Sequence, residues 1–145
     1  MYTFSSKSKK ILNEACEELQ FIANKAIKYV DFSVICSKRT EEEQQAAYEE
    51  GRSRARFGQS PHNWTIIGGN GSLAIDIVPY PCPPWNSNDP DDIVETKRSF
   101  ERVIEIFKMI ADGAEIDITS GASFSLVDMP HIEMADWVKL KSKKV

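Results

Sequence analysis

His62 and His131 are the only two histidines in the 145 residues. Any imidazole chemistry must therefore use one or both of them. His62 stands in Ser60-Pro61-His62, and His131 in Asp128-Met129-Pro130-His131-Ile132-Glu133. Between them Asp76 interrupts the apolar run from Leu73 to Val78. An ionised carboxylate in apolar surroundings calls for a cation or hydrogen-bond donors. Two imidazoles and one carboxylate form a workable zinc set, because a catalytic zinc takes three protein ligands and keeps one position open. The intervals of 14 and 55 residues follow no short metal motif. Two unrelated histidines and a strand-end aspartate account for the same spacing. Cys82 is a further ligand candidate that would close the site, although Pro79-Tyr80-Pro81-Cys82-Pro83-Pro84 directs it elsewhere.

These residues need elements to hold them. Apolar residues recur at intervals of three and four from Ile11 to Val30, predicting a helix over 6–30. Phe32, Val34 and Cys36 alternate with polar residues, predicting a strand whose apolar side chains, Cys36 included, enter the core together with Cys16. Thr40 and Glu43 have the spacing of a capping box, and Gly51 suits the left-handed stop of the helix that follows. Residues 52–72 read as one long loop, and loops of that length are usually functional. A strand over 73–78 ends at the proline cluster, and a helix over 91–112 stops at Gly113. Ile116 and Ile118 mark a strand, and Ser123 to Met134 hold one or two more, interrupted at Pro130. This order predicts an α+β fold with helices packed on one small, mainly antiparallel sheet.

Composition bounds the rest. A chain of this length is expected to form one domain, 1–145, with a core that needs no disulfides. Three cysteines without short spacing agree with that. Hydrophobic residues at 41% and charged residues at 28% exclude a disordered chain. A net charge of -4 argues against bulk nucleic-acid binding, and no apolar run is long enough for membrane insertion. The N-terminus lacks the apolar stretch of a signal peptide, so synthesis in the cytoplasm is expected. Lys139, Lys141, Lys143 and Lys144 crowd the C-terminus, which reads as a solvated tail or as a small contact for an anionic polymer.

Several of these segments together resemble a known family. Ser37-Lys38-Arg39-Thr40, Glu43-Gln44, Tyr48 and Gly51 follow the R-T-x-x-E-Q-x-x-x-Y-x-x-G segment of phage endolysins with L-alanyl-D-glutamate peptidase activity. These belong to the zinc D-alanyl-D-alanine carboxypeptidase group, whose fold is shared with the hedgehog signalling domain. Ser60-x-His62, Ala74-x-Asp76 and Asp128-Met129-Pro130-His131-Ile132-Glu133 supply the family's later motifs in order, and Phe4-Ser5 and Asp31-Phe32-Ser33-Val34 match its opening. The resemblance runs from about residue 4 to 134. The chain departs from it in the thirteen residues between His62 and Asp76, a longer gap than is common, which is expected to bulge beside the site. It also lacks a tryptophan- and glycine-rich segment before Asp128.

The resemblance implies one zinc ion held by His62, Asp76 and His131, in a cleft of this sheet. It implies Asp128 as general base and Arg39 as donor to a substrate carboxylate or developing oxyanion. Ser60 becomes a donor to substrate or to a ligand, or else a turn former. Gln44 lines the same cleft or covers the helix surface, and Glu133 is a rival base or a partner for a ligand imidazole. Trp64, Tyr80, Trp85 and Trp137 are candidate cleft walls. The implied function is an endolysin, a monomer that hydrolyses peptidoglycan stem peptides, at the L-alanyl-D-glutamate bond. It reaches the wall after release by a separate membrane-permeabilising lysis partner. The alternatives are a D-alanyl-D-alanine carboxypeptidase and a non-catalytic, hedgehog-like zinc-binding module.

Overall fold

A computed structural model describes residues 1–124 and 127–145. Its helices are α1 (Ser6–Leu12), α2 (Glu17–Ala26), α3 (Glu41–Glu49), α4 (Pro90–Gly113) and α5 (Trp137–Leu140). Its strands are β1 (Phe32–Cys36), β2 (Trp64–Ile66), β3 (Ala74–Pro79), β4 (Ile118–Ser120), β5 (His131–Met134) and β6 (Lys141–Lys144). The main sheet has the order β1-β3-β5-β4 and is antiparallel throughout. The α+β expectation agrees with this architecture. Successive side chains of a strand face opposite ways. Ile75, Ile77 and Ile132 therefore join Leu19, Ile22, Phe100 and Phe107 from α2 and α4 in the core, while Asp76 and His131 look out on the other side. Phe4, Phe32 and Phe107 meet edge to face and close one end of that core.

Four expectations need correction. The helix predicted over 6–30 is two helices, because Ser72 enters at Asn13–Cys16: its amide donates to the Glu14 carbonyl (2.9 Å) and its carbonyl accepts from the Cys16 amide (2.9 Å). Gly71 lies so close to Ala15 and Cys16 that a β-carbon there would collide with their backbone. The lysine-rich terminus is not a free tail. It forms β6, which pairs with β2 in a second, two-stranded sheet. The thirteen residues after His62 thus contain a strand, and residues 66–71 lie against the α1–α2 junction rather than beside the site.

Cys36 is the fourth correction. Val34 pairs with Ile77, but Cys36 pairs with Asp76, so the register shifts by one residue between them. Such a bulge turns the following side chains to the opposite face. Cys36 consequently leaves the core side and joins Asp76. The strand predicted within Ser123 to Met134 is β5, preceded by a 3-10 turn at Gly121–Ser123. The part of that segment at Ser125 and Leu126 lies outside the described residues.

Candidate metal centre

The sheet register builds the site. Cys36, Asp76 and His131 are direct partners across β1, β3 and β5, so their side chains form one row on one face. His62 joins them from a 3-10 turn, Pro61–Asn63, that follows Ser60. The Ser60 hydroxyl accepts from the His62 amide (3.2 Å), and the Ser60 amide donates to Asn63 Oδ1 (3.2 Å), which fixes the turn. Asp76 Oδ1 then lies 3.2 Å from His62 Nε2 and 3.4 Å from His131 Nδ1. The two imidazole rings stand edge to face with centroids 5.1 Å apart.

The outer nitrogen of each ring is held as well. The Ser37 carbonyl accepts from His62 Nδ1 at 2.7 Å. A carbonyl can only accept, so Nδ1 carries the proton and Nε2 is the nitrogen presented to Asp76. Glu133 Oε1 accepts from His131 Nε2 at 2.7 Å and leaves Nδ1 facing the same carboxylate. Partners of this kind orient imidazole ligands around metals. Burial disfavours a charged His62, but the Asp76 carboxylate outweighs it and lifts the pKa to about 10. Burial likewise opposes the charge on Asp76, and the His62 charge overrides it to hold that carboxyl well below the usual carboxylate range. Burial is outweighed at His131 too, where hydrogen bonds to Asp76 and Glu133 raise the pKa. Both shifts favour protons on the rings beside one carboxylate, in the place where a bound cation would sit.

Arg39 completes one wall. Its Nη2 pairs with Asp76 Oδ2 (3.3 Å), its Nη1 donates to Gln44 Oε1 (3.1 Å), and its amide donates to the His62 carbonyl (2.9 Å). Asn63 Nδ2 bridges the Arg39 carbonyl and Gln44 Oε1, both at 3.1 Å. Gln44 and Asn63 are fully buried. Gln44 is therefore neither a cleft surface nor a helix cover: it is the buried support of Arg39, and its Nε2 also pins the Ala55 carbonyl (2.6 Å).

A cleft of about 770 Å³ opens over the row, lined among others by Arg39, Arg54, Asp128, His131, Trp85 and Trp137. Asp128 is exposed at its rim. Desolvation in the cleft and the nearby Asp76 charge raise its pKa. Its amide donates to the Gly121 carbonyl (2.9 Å), and a β-carbon on Gly121 would collide with the Asp128 carbonyl and crowd His131. Of the four aromatic candidates, Trp85 and Trp137 reach the cleft. The Trp64 ring is covered by Lys141 and Lys144 of β6, and Tyr80 lines a separate cavity.

No family model and no curated protein matches the sequence. The solved structures include one that aligns with 92% of this chain and 90% of its own at a TM-score of 0.65 and 20% identity: the Serratia marcescens L-Ala D-Glu endopeptidase ChiX. The two chains share one fold.

Within that fold the donor set suits a divalent metal ion, with two imidazole nitrogens and a carboxylate oxygen converging from rigid elements. Cys36, His62 and Asp76 also present ligand atoms within 4.8 Å of one another. Cys36 Sγ, however, faces His62 Nδ1 (3.8 Å), the nitrogen already committed to Ser37, and Arg39 Nη2 (3.7 Å) stands between the thiol and Asp76 Oδ2. The histidine pair is the more coherent set. Cys82 is exposed beside Tyr80, in the separate cavity. Sequence reasoning missed Asn63, Ser37, Gly121 and the position of Cys36. Only Asn63 carried a signal, as an amide directly after a candidate ligand.

Proposed function

We propose that the chain is a zinc peptidase that hydrolyses peptidoglycan stem peptides between L-alanine and D-glutamate. The observation that carries this is the convergence of His62 Nε2 and His131 Nδ1 on Asp76 Oδ1 at the floor of a cleft that also holds Arg39 and Asp128. The endopeptidase that shares the fold supports the choice of bond. His62, Asp76 and His131 would hold the metal, which when bound polarises a carbonyl oxygen and acidifies water.

The protein's own groups do the remaining work. Asp128, with its raised pKa, accepts a proton from the attacking water and returns it to the leaving amine nitrogen. Arg39 is held rigidly by Gln44 and offers its remaining N–H donors to a substrate carboxylate or to the developing oxyanion. Glu133 keeps the His131 ring oriented and, engaged at 2.7 Å, is not free to serve as base. Trp85 and Trp137 border the space for the peptide. The endolysin setting, a monomeric catalytic unit with a separate lysis partner, rests on the sequence resemblance.

Mass spectrometry of products from purified peptidoglycan, with and without chelator, tests this. Chelator-sensitive release of fragments newly ending at L-alanine is the expected result. Release of D-alanine alone would reassign the protein as a carboxypeptidase, and no cleavage by the metal-loaded protein would leave a binding module.

A further inference from the structure

Strand β6 gathers positive charge in a way that pairing with β2 alone does not require. Trp64 pairs with Lys144, but Ile66 pairs with Lys141, so β6 carries one extra residue between them. In a regular ladder residues three apart face opposite ways. The bulge brings Lys141 and Lys144 to the same indole instead: their ammonium groups lie 4.2 and 5.7 Å from the Trp64 ring centroid. The two charges are therefore within about 10 Å of each other, one Debye length at moderate salt. Lys144 also packs over Phe57 and Gly58. Among the described residues no carboxylate pairs with Lys139, Lys141, Lys143 or Lys144. Arg54, exposed on the cleft wall and likewise without an ion pair, and Arg56, stacked on Tyr48, continue the positive character.

Two ammonium groups over one ring repel each other, and an anion seated between them relieves that repulsion. The same arrangement argues against a sugar platform or a stacked base, since lysines already cover Trp64. Trp137, which borders the catalytic cleft, lies 5.8 Å from the Lys141 ammonium, so the strip starts at the rim of the site. The Val145 amide donates to the Asn63 carbonyl (2.9 Å), joining β6 to the turn that carries His62.

We propose that the β6 strip is a binding surface for a phosphodiester polyanion of the cell wall, holding such a chain alongside the cleft. The wall as the source rests on the function proposed above, whereas the preference for a chain of phosphates rests on charge complementarity: ammonium groups without a carboxylate partner among the described residues follow one another along a strand, each a point charge for one phosphate. The role is tethering and lies outside the hydrolytic step.

The test is binding of poly(glycerol phosphate) to the 145-residue chain, followed by tryptophan fluorescence over a range of salt. Lys141→Gln/Lys144→Gln should bind about tenfold more weakly at about 0.1 M salt, and the slope of log affinity against log salt should fall by about 1.4, as expected for two lost phosphate contacts. Hydrolysis of a soluble stem peptide should be unchanged. The single Lys144→Gln variant should show half the change in slope and covers the case in which the double variant misfolds. Equal affinity of wild type and variants overturns the proposal. Equally tight binding of polyglutamate overturns the phosphate preference, and tighter binding of duplex DNA makes the surface a nucleic-acid site. Because binding is read without turnover, a protein that binds the polymer but cleaves no peptide refutes only the peptidase assignment.

Discussion

Asp76 and His131 are direct partners across β3 and β5, and the aspartate Oδ1 stands 3.4 Å from the imidazole Nδ1. A one-residue slip of β5 would send the histidine into the core side of the sheet. The sheet register is thus a determinant of metal binding. His131→Ala should abolish stoichiometric zinc binding, whereas Cys36→Ser should retain it, as measured by metal analysis after dialysis. Loss of zinc from the cysteine variant with retention in the histidine variant would transfer the site to Cys36, His62 and Asp76.

Glu133 acts on the centre through His131. Glu133→Gln keeps the size of the side chain but weakens its acceptor, and should lower zinc affinity about 10- to 100-fold. Competition with a chromogenic chelator reads this directly. Unchanged affinity with lost activity would instead make Glu133 the base.

Asp128 should separate catalysis from metal retention. Asp128→Asn is expected to reduce kcat by about 10²- to 10⁴-fold with zinc content intact. Desolvation in the cleft and the Asp76 charge raise the Asp128 pKa, so the acid limb of kcat/KM should lie above the ordinary carboxylate value. A limb that persists unmoved in the variant would assign it to another group.

The metal-free protein has a predictable dependence on pH. His62 is raised from its ordinary 6.5 to about 10, so its contribution to stability is whole below 6.5 and is lost as pH climbs through about 10. Asp76 is lowered, so its contribution is present above its ordinary 3.8 and disappears as pH falls through the depressed value. With chelator present, the melting temperature should fall between about pH 6 and about pH 10. Calorimetry that finds it rising over that interval would contradict the charged His62–Asp76 pair.

Much of the site was legible because its parts are local. Ser60-Pro61-His62 is a capped turn, Thr40 and Glu43 do form the capping box, and Asp76 is conspicuous in an apolar strand. What escaped the sequence depends on partners distant along the chain. Cys36 reads as a core residue by alternation, and only the bulge against β3 turns it out. The helical pattern over 6–30 is continuous in sequence, yet Ser72 divides it by competing for its backbone groups. Gln44 reads as a helix-surface residue until Arg39 and Asn63 are seen to bury it. Lysines that read as a tail become a strand because β2 offers an edge.

The pairing of Trp64 with Lys144 has a kinetic corollary. The segment that follows His62 gains its strand partner only when Lys141–Lys144 come back to it from the far end of the chain. Loop closure over such a separation is among the slower events of folding. Refolding in the presence of zinc should accordingly show helix formation well before metal uptake. The ion would lock a finished architecture, with no part in nucleating it.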